Sequence, residues 1–552
     1  MINHSPIHEV GTRLPSADCR VTIAEGARPA RRAPEEKTPR HSAIGNRHSA
    51  LMFVLLAVLP SQLEGQEQAG KAIYEKWCAG CHGETGAGDG EAAAYMLPRP
   101  RDFTKGVYQI RSTASGGIPT DADIRHIIDE GMPGTAMPEW RSKLTERERD
   151  DLVSYIKSFS RFFQTAKVET LELGGAPGTS DETIASGRET FRKLECFKCH
   201  GERGRGDGNS APTLTDDLDF PIRAADLSES WNFNGGSTVE QIYARLRTGL
   251  DGTPMPSFSD AIESNIITDE QLWHVAQYVR SLSPEQAPVV REVIRAHRAE
   301  TLPTDPGDSV WVRTEPFYIP LVGQIIKRPR WFTPSVDGVW VRALHDGQRL
   351  AIRLSWTDPS KSPDPAWQEW LDRITRTVAR DDSTALAQGP DLIAVQFPPQ
   401  ANEDAERPFF LGGNARRPVH LWRWSSDPDR VQEGAETGLG QFAPHSGPPQ
   451  VTHAARFDQG EWQVQFTRSL APADSGAAPV FTPGVAIPIA FYAADGSNGE
   501  DPVKGAVSAW YAIYLDVPTP GRVYVQPIVA VLLTAGLGLF VVYRAQRRER
   551  GL

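Results

Sequence analysis

Two short stretches of the sequence carry residues that can do chemistry. "CAGCHGETGAGDG" begins at Cys78 and "CFKCHGERGRGDG" at Cys196. Each places two cysteines three residues apart with a histidine directly after the second: Cys78, Cys81 and His82, then Cys196, Cys199 and His200. Two thiols so spaced can form thioether links to one haem while the histidine sits under the iron as an axial ligand. Zinc also uses Cys-x-x-Cys pairs, but it needs further Cys or His ligands at finger-like spacing. Between Cys81 and Cys196 the sequence offers His126 besides His82 and no cysteine. A thioredoxin-like dithiol would need a βαβ context that the pattern lacks. The reading is two covalently bound haem c groups. The remaining cysteine, Cys19, leaves no thiols for a disulfide framework.

The sixth ligand decides what such haems do. Methionine opposite histidine is an electron-transfer set that raises the reduction potential. The first stretch is followed by Met96, Met132 and Met137. An internal duplication chooses among them. Cys78, Cys81, His82, Gly131 and Met137 recur 118 residues later as Cys196, Cys199, His200, Gly249 and Met255. Met96 and Met132 fall on Leu214 and Leu250, so only Met137 meets a second methionine. Both sit in Gly-Thr-x-Met-Pro loops. His126 and His274 read as ordinary helix-face residues.

The elements that must position these groups follow the same duplication. A short helix precedes each motif ("GKAIYEKWC", "GRETFRKLEC"), and a helical pattern follows ("DADIRHIIDEG", "TVEQIYARLRTG"). The methionine loop comes next, and an amphipathic helix closes the unit. In the first copy Leu152, Ile156 and Phe159 share one face of that helix. Thr145 with Glu148, and Thr268 with Gln271, have capping-box spacing at the two starts.

The chain has 552 residues, enough for three to four domains, and a net charge of −11 that argues against a nucleic-acid partner. "LMFVLLAVL" (51–59), after a basic stretch, has the length of a signal-peptide core. Pro527 to Tyr543 is uncharged and precedes Arg544, Arg547, Arg548 and Arg550. It reads as a transmembrane helix with a cytoplasmic C-terminus and the bulk of the chain on the periplasmic or extracytoplasmic side. After about residue 285 alternating apolar stretches replace the helical pattern. "VWVRALHDGQRLAIRLSW" reads as a hairpin around Asp346-Gly347. "LIAVQFP", "VHLWRW", "EWQVQF", "AIPIAFYAAD" and "VSAWYAIYL" read as further strands of a β-sandwich, and "PAWQEWLDRITRTVAR" as a helical insertion.

Residues 67–163 and 178–285 resemble two class I cytochrome c domains in tandem, on "CAGCH" with "GTAMPEW" and "CFKCH" with "GTPMPSF". The resemblance implies a small helical bundle around each haem, its first and last helices crossing at Gly70 and Gly187. Residues 305–517 resemble the haem-binding domain of the ethylbenzene dehydrogenase gamma-subunit family. The likeness rests on "DLIAVQFP", "RPFFLGGNARRPVHLWRW" and "DGSNGEDPVKGAVSAWYAIYL". That family includes small subunits of dimethyl sulfoxide reductase-type molybdoenzymes, and members with a b-type haem ligate it by methionine and lysine. The lysine falls on Lys504. The methionine would fall near Leu411 or Gly412, yet the sequence has none after Met255. A five-coordinate Lys504 site, a substitute ligand such as His420, or no haem b are the alternatives.

The expected organisation is therefore an N-terminal extension and signal peptide (1–66), all-α cytochrome c domains (67–165 and 176–286), an all-β sandwich-like domain (303–518), a transmembrane helix (523–543) and a basic tail (544–552). The expected function is that of a membrane-anchored dihaem electron-transfer subunit. Its redox partner, by resemblance, would be a molybdenum enzyme with an iron–sulfur subunit, of the nitrite oxidoreductase or selenate/chlorate reductase type. The alternatives are a dihaem enzyme such as a peroxidase, or a respiratory cytochrome whose β-domain only docks a partner or binds a ligand.

Overall fold

The computed structural model describes residues 67–400, 406–473, 478–518 and 521–551. The expected signal peptide lies outside the described residues. The first haem-motif unit contains helices α1 (67–77), α2 (Asp121–Glu130) and α3 (Glu146–Ser158). The second contains α4 (Asp181–Lys193), α5 (Val239–Thr248) and α6 (Asp269–Ser281). Full capping boxes open α3 and α6 as the spacing implied, and also α2 (Thr120 with Asp123) and α5 (Thr238 with Gln241). Each cap satisfies backbone N–H groups that would otherwise go unpaired, worth about 1 kcal/mol. The units differ by a helical turn, Ser259–Glu263, inserted before α6.

The crossing of first and last helices is real and depends on glycine. A Cβ on Gly70 would lie 2.1 Å from Asp151 O, and one on Gly187 would lie 1.9 Å from His274 O. No side chain fits either place. The unit cores form around these crossings: Tyr74, Phe103, Ile124, Ile128, Leu152 and Ile156 in the first, and Phe191, Ile242, Leu246, Leu272 and Val275 in the second. Short helical turns and loops connect these helices, with isolated bridges at Thr113–Thr170 and Thr215–Pro221.

The third region is a large β-sheet domain. Its main strands are β1 (Val293–Arg298), β2 (Gly338–His345), β3 (Arg349–Thr357), β4 (Leu392–Phe397), β5 (Arg417–Ser426), β6 (Asp429–Glu436), β7 (Thr452–Phe457), β8 (Glu461–Ser469), β9 (Ala486–Ala494) and β10 (Tyr511–Leu515). They run in the order β6-β5-β4-β9-β10-β1-β2-β3-β8-β7. Strand β9 is the pivot: Ala486–Ile489 pair with β10 and Ala490–Ala494 with β4. The two halves thereby face one another over a shared core, where Trp424 meets Trp356 at 6.3 Å and Trp422 meets Phe466 at 6.1 Å. The β2–β3 hairpin turns at Asp346-Gly347 as read from sequence, with Gly347 at φ 95°. Strand β1 precedes the expected domain start at residue 303. It pairs in parallel with both β10 and β2, burying Ile294 and Ala296.

Helix α7 (Gln368–Thr377) is the expected insertion, and it works as a wedge. Trp370, Leu371 and Ile374 form a buried cluster with Trp331 of the β-domain and Ala211 of the second haem-motif unit, and Leu97 of the first packs against it. Arg99 ties the carbonyls of Ala93 and Thr377 together, and Ala379 N–H donates to Ala94 O at 2.7 Å. Helix α8 (Arg522–Glu549) is about 42 Å long at ~1.5 Å per residue, more than the ~30 Å hydrocarbon core. Its stretch Val523–Glu549 is apolar enough to cross a membrane and is not buried against the rest of the chain.

Candidate haem sites

The two Cys-x-x-Cys-His motifs adopt the same local form. Helical turns Ala79–His82 and Phe197–His200 carry them, and each turn is stopped by a glycine with positive φ, Gly83 or Gly201. His82 Nδ1 lies 3.1 Å from Arg101 O, and His200 Nδ1 lies 3.0 Å from Ala225 O. A carbonyl accepts only, so Nδ1 carries the proton and Nε2 is the nitrogen left to bind iron. His82 also stacks on Phe103, with centroids 4.5 Å apart. Burial pushes both imidazoles below their ordinary pKa and favours the neutral form that ligates.

The thiols tell against a reactive dithiol. Burial pushes Cys78 and Cys196 up to about 12, and also raises Cys81 and Cys199. A dithiol nucleophile needs a stabilised thiolate, which burial disfavours here.

The methionine loops are duplicates in atomic detail. Thr135 Oγ1 donates to Met132 O at 2.7 Å and accepts from Met137 N–H at 3.2 Å. Thr253 Oγ1 donates to Leu250 O at 2.7 Å and accepts from Met255 N–H at 3.2 Å. Met132 N–H donates to Met137 O at 3.0 Å, and Leu250 N–H to Met255 O at 3.1 Å. Gly131 and Gly249 enter the loops at φ 70° and 67°, where a Cβ would strike backbone 2.7 and 2.6 Å away. Met132 itself serves as backbone scaffold for Met137. In the first unit Trp77, beside Cys78, contacts Trp140, three residues past Met137, at 5.5 Å. In the second, Cys196 and Met255 pack against the same core. His274 Nδ1 is engaged by Ser186 Oγ at 3.0 Å, a helix-to-helix contact.

The first unit fits a haem. Among the described residues, the buried donors Tyr108 OH and Trp140 Nε1 of the first unit have no hydrogen-bond partner. Such donors are costly unless a bound group supplies acceptors, as haem carboxylates do.

The two units are also docked to each other beside these loops. Arg111 is fully buried, donates to Tyr108 O at 2.8 Å and Thr248 O at 2.6 Å, and pairs with Asp251 at 2.8 Å. Arg245 Nη2 donates back to Arg111 O at 2.7 Å, and Ser115 Oγ and Gly116 N–H donate to Asp251. Thr248 and Asp251 flank the start of the Met255 loop. Arg101, whose carbonyl orients His82, reaches the same loop: its Nη1 would lie 2.9 Å from a Cβ on Gly252.

The β-domain does not assemble the lysine–methionine set. Lys504 Nζ pairs with Asp501 at 3.4 Å. Leu411, 1% exposed, lines a cavity of ≈ 20 Å³ with Gly412, Arg423, Glu436 and Tyr492, and Lys504 is not part of that lining. His420 faces away: its strand neighbour Leu421 lines the cavity, while His420 Nε2 lies 2.9 Å from Glu433 Oε1. A leucine cannot ligate iron, and haem b finds no support here.

Sequence reasoning missed Arg101, Ala225, Phe103 and Arg111. The first two act through backbone carbonyls, which any residue supplies. The threonines were visible as a repeated Gly-Thr-x-Met-Pro, but not their role.

Two covalent haem sites in tandem units of this kind define a dihaem c-type cytochrome. Residues 65–156 match the family described as cytochrome C oxidase, cbb3-type, subunit III, and residues 184–283 match cytochrome c. The chain is homologous to the dimethylsulfide dehydrogenase subunit gamma of Rhodovulum sulfidophilum, 26% identical over 44% of this chain and 88% of that one. It is similar to the cbb3-type cytochrome c oxidase subunit CcoP of Rhodobacter capsulatus, 25% identical over 45% of this chain and 72% of that one. Among solved structures, the reducing HAO-like protein complex of Kuenenia stuttgartiensis matches at 43% identity, over 39% of this chain and 96% of that one, with a TM-score of 0.37. The family matches and the two similar subunits make the chain an electron-transfer cytochrome related to subunits of redox complexes.

Proposed function

We propose that this chain is the membrane-anchored electron-transfer subunit of a molybdoenzyme complex, with substrate chemistry in another subunit. Cys78 and Cys81 would attach one haem, with His82 and Met137 to hold its iron. Cys196 and Cys199 would attach the other, with His200 and Met255. Haem supplies a one-electron iron couple at each site. The chain's own residues hold each imidazole by a carbonyl, present each methionine from a threonine-braced turn, and keep the two units in register through Arg111 and Asp251. The observation that favours electron transfer over catalysis is the identical bracing of the two methionine loops. A peroxidase needs an open or labile iron position, and two fixed methionine loops oppose that. The β-domain is of the ethylbenzene dehydrogenase gamma kind and serves as the docking body for the partner, with Lys504 an ion-paired lysine. Arg544, Arg547, Arg548 and Arg550 set the C-terminus in the cytoplasm, which leaves the haems on the opposite face.

A pyridine haemochrome spectrum tests the cofactor content: two haem c and no extractable haem b are expected. Met137→Ala and Met255→Ala should each alter the low-spin spectrum of one haem, and unchanged spectra would remove the ligand assignment. Co-purification from membranes should bring down a molybdenum-containing subunit. Peroxide turnover at enzyme-like rates by the isolated chain would favour the dihaem enzyme instead.

A further inference from the structure

Three aspartates converge where the sheet abuts the second cytochrome unit. Asp358 follows β3, Asp391 precedes β4 and Asp495 follows β9, and all three are 0% exposed. One carboxylate oxygen from each lies within 4.8 Å of the others. Their remaining bonds are asymmetric. Asp358 Oδ1 accepts from Ser360 N–H at 3.2 Å, and Asp495 Oδ1 accepts from Ser497 N–H at 2.8 Å and Ser497 Oγ at 2.7 Å. Among the described residues, the other oxygens, Asp358 Oδ2 and Asp495 Oδ2, have no hydrogen-bond partner, and neither do the buried Ser360 Oγ and Ser362 Oγ. Asp391 is held on both oxygens, by Gly496 N–H at 3.1 Å, Ser362 N–H at 2.8 Å and Trp462 Nε1 at 3.0 Å.

Charge bookkeeping makes the arrangement costly as it stands. The nearest cation is Arg223, whose Nη2 is 3.9 Å from Asp495 Oδ2. One guanidinium at that range does not neutralise three carboxylates. Glu500, its Oε2 accepting from Asp495 N–H at 3.0 Å, adds a fourth acidic group. Buried like charges persist only when protonated or paired with a cation. The buried oxygens of Asp358 and Asp495 that lack partners favour the cation.

We propose that Asp358, Asp391 and Asp495 bind a hard divalent cation, calcium by its ligand chemistry, as a structural centre at this junction. The donor set is oxygen alone, which excludes the metals that select thiolate or imidazole. A fully buried protein cage suits calcium, whereas magnesium keeps several waters. The site also bears on the second haem. Arg223 lies two residues from Ala225, whose carbonyl orients His200, and its guanidinium covers Trp370 of the wedge helix at 5.0 Å.

The test uses the full chain, purified without chelator. Elemental analysis should find calcium bound along with the haem iron. Removal with EDTA should lower the thermal midpoint, and CaCl2 but not MgCl2 should restore it. Terbium added to the calcium-free protein should show tryptophan-sensitised emission that calcium quenches, since the Trp462 indole bonds Asp391. Asp495→Asn should abolish the emission and the calcium response. A protein without calcium, unmoved by CaCl2 and silent with terbium, would overturn the proposal. An Asp495→Asn variant at least as stable as the parent and still indifferent to calcium would do the same, because it would mark a proton-sharing cluster. These readouts do not depend on the haem ligands or on the partner complex.

Discussion

Replacing Arg111 by methionine should separate docking of the two haem units from the units themselves. The side chain is wholly buried, and its loss removes the pair with Asp251 and the donors to Tyr108 O and Thr248 O. Stranding one partner of a buried pair costs about 3–5 kcal/mol. Asp251 keeps Ser115 Oγ and Gly116 N–H, which places the pair at the lower end. Three carbonyls, those of Ala114, Tyr108 and Thr248, lose their donor and add about 1 kcal/mol each if poorly rehydrated. We therefore expect a loss of about 6 kcal/mol by urea unfolding followed in the haem absorption. Each haem should keep its low-spin spectrum, while inter-haem equilibration after flash reduction slows. Adding Asp251→Asn should recover part of the stability by removing the stranded charge. A loss under about 1 kcal/mol with unchanged equilibration would refute the claim that this contact holds the units in register.

Gly187→Ala should cost about 1–3 kcal/mol or prevent folding despite its helix-propensity gain of up to about 1 kcal/mol, because the Cβ meets His274 O at 1.9 Å. Gly178→Ala, with nothing within 4 Å, should melt like the parent in the same calorimetric scan. Thr253→Val removes one brace of the Met255 loop, and we expect one haem to lose its low-spin spectrum on warming before the other. Despite burial, bonds from His420 and Gln450 and the nearby Arg468 hold Glu433 down at about 2. A depressed carboxyl stabilises above its ordinary value near 4.5 and loses that contribution as pH falls through 2, a span of about 3 kcal/mol. Acid titration of β-domain tryptophan fluorescence should show this loss in the parent, and Glu433→Gln should flatten it.

Much of this fold is legible because chemistry and periodicity are local. A haem attachment motif must be contiguous, and a duplication exposes its partners by offset. Apolar strands such as β4 and β5 announce themselves within six to ten residues. Strand β1 does not, since only Ile294 and Ala296 are fully buried among charged neighbours. Its place is set by distant partners. The carbonyls of Arg101 and Ala225 leave no trace in residue type. The aspartates at 358, 391 and 495 share no spacing, and only sheet register brings them together.

Strand β1 also dictates an order of assembly. It pairs with β10, in the register Val293 to Ala512, across more than 200 residues of intervening chain. Loop closure over such a distance is slow, and unpaired strand edges stay exposed meanwhile. The haem-motif units close within about a hundred residues each and precede the sheet in the chain. They can acquire their haems as soon as they emerge. The sheet, by contrast, stays open until Tyr511–Leu515 is released, with α8 following directly behind. A nascent chain stalled just short of that strand would hold two finished electron carriers beside an unclosed, aggregation-prone β-domain.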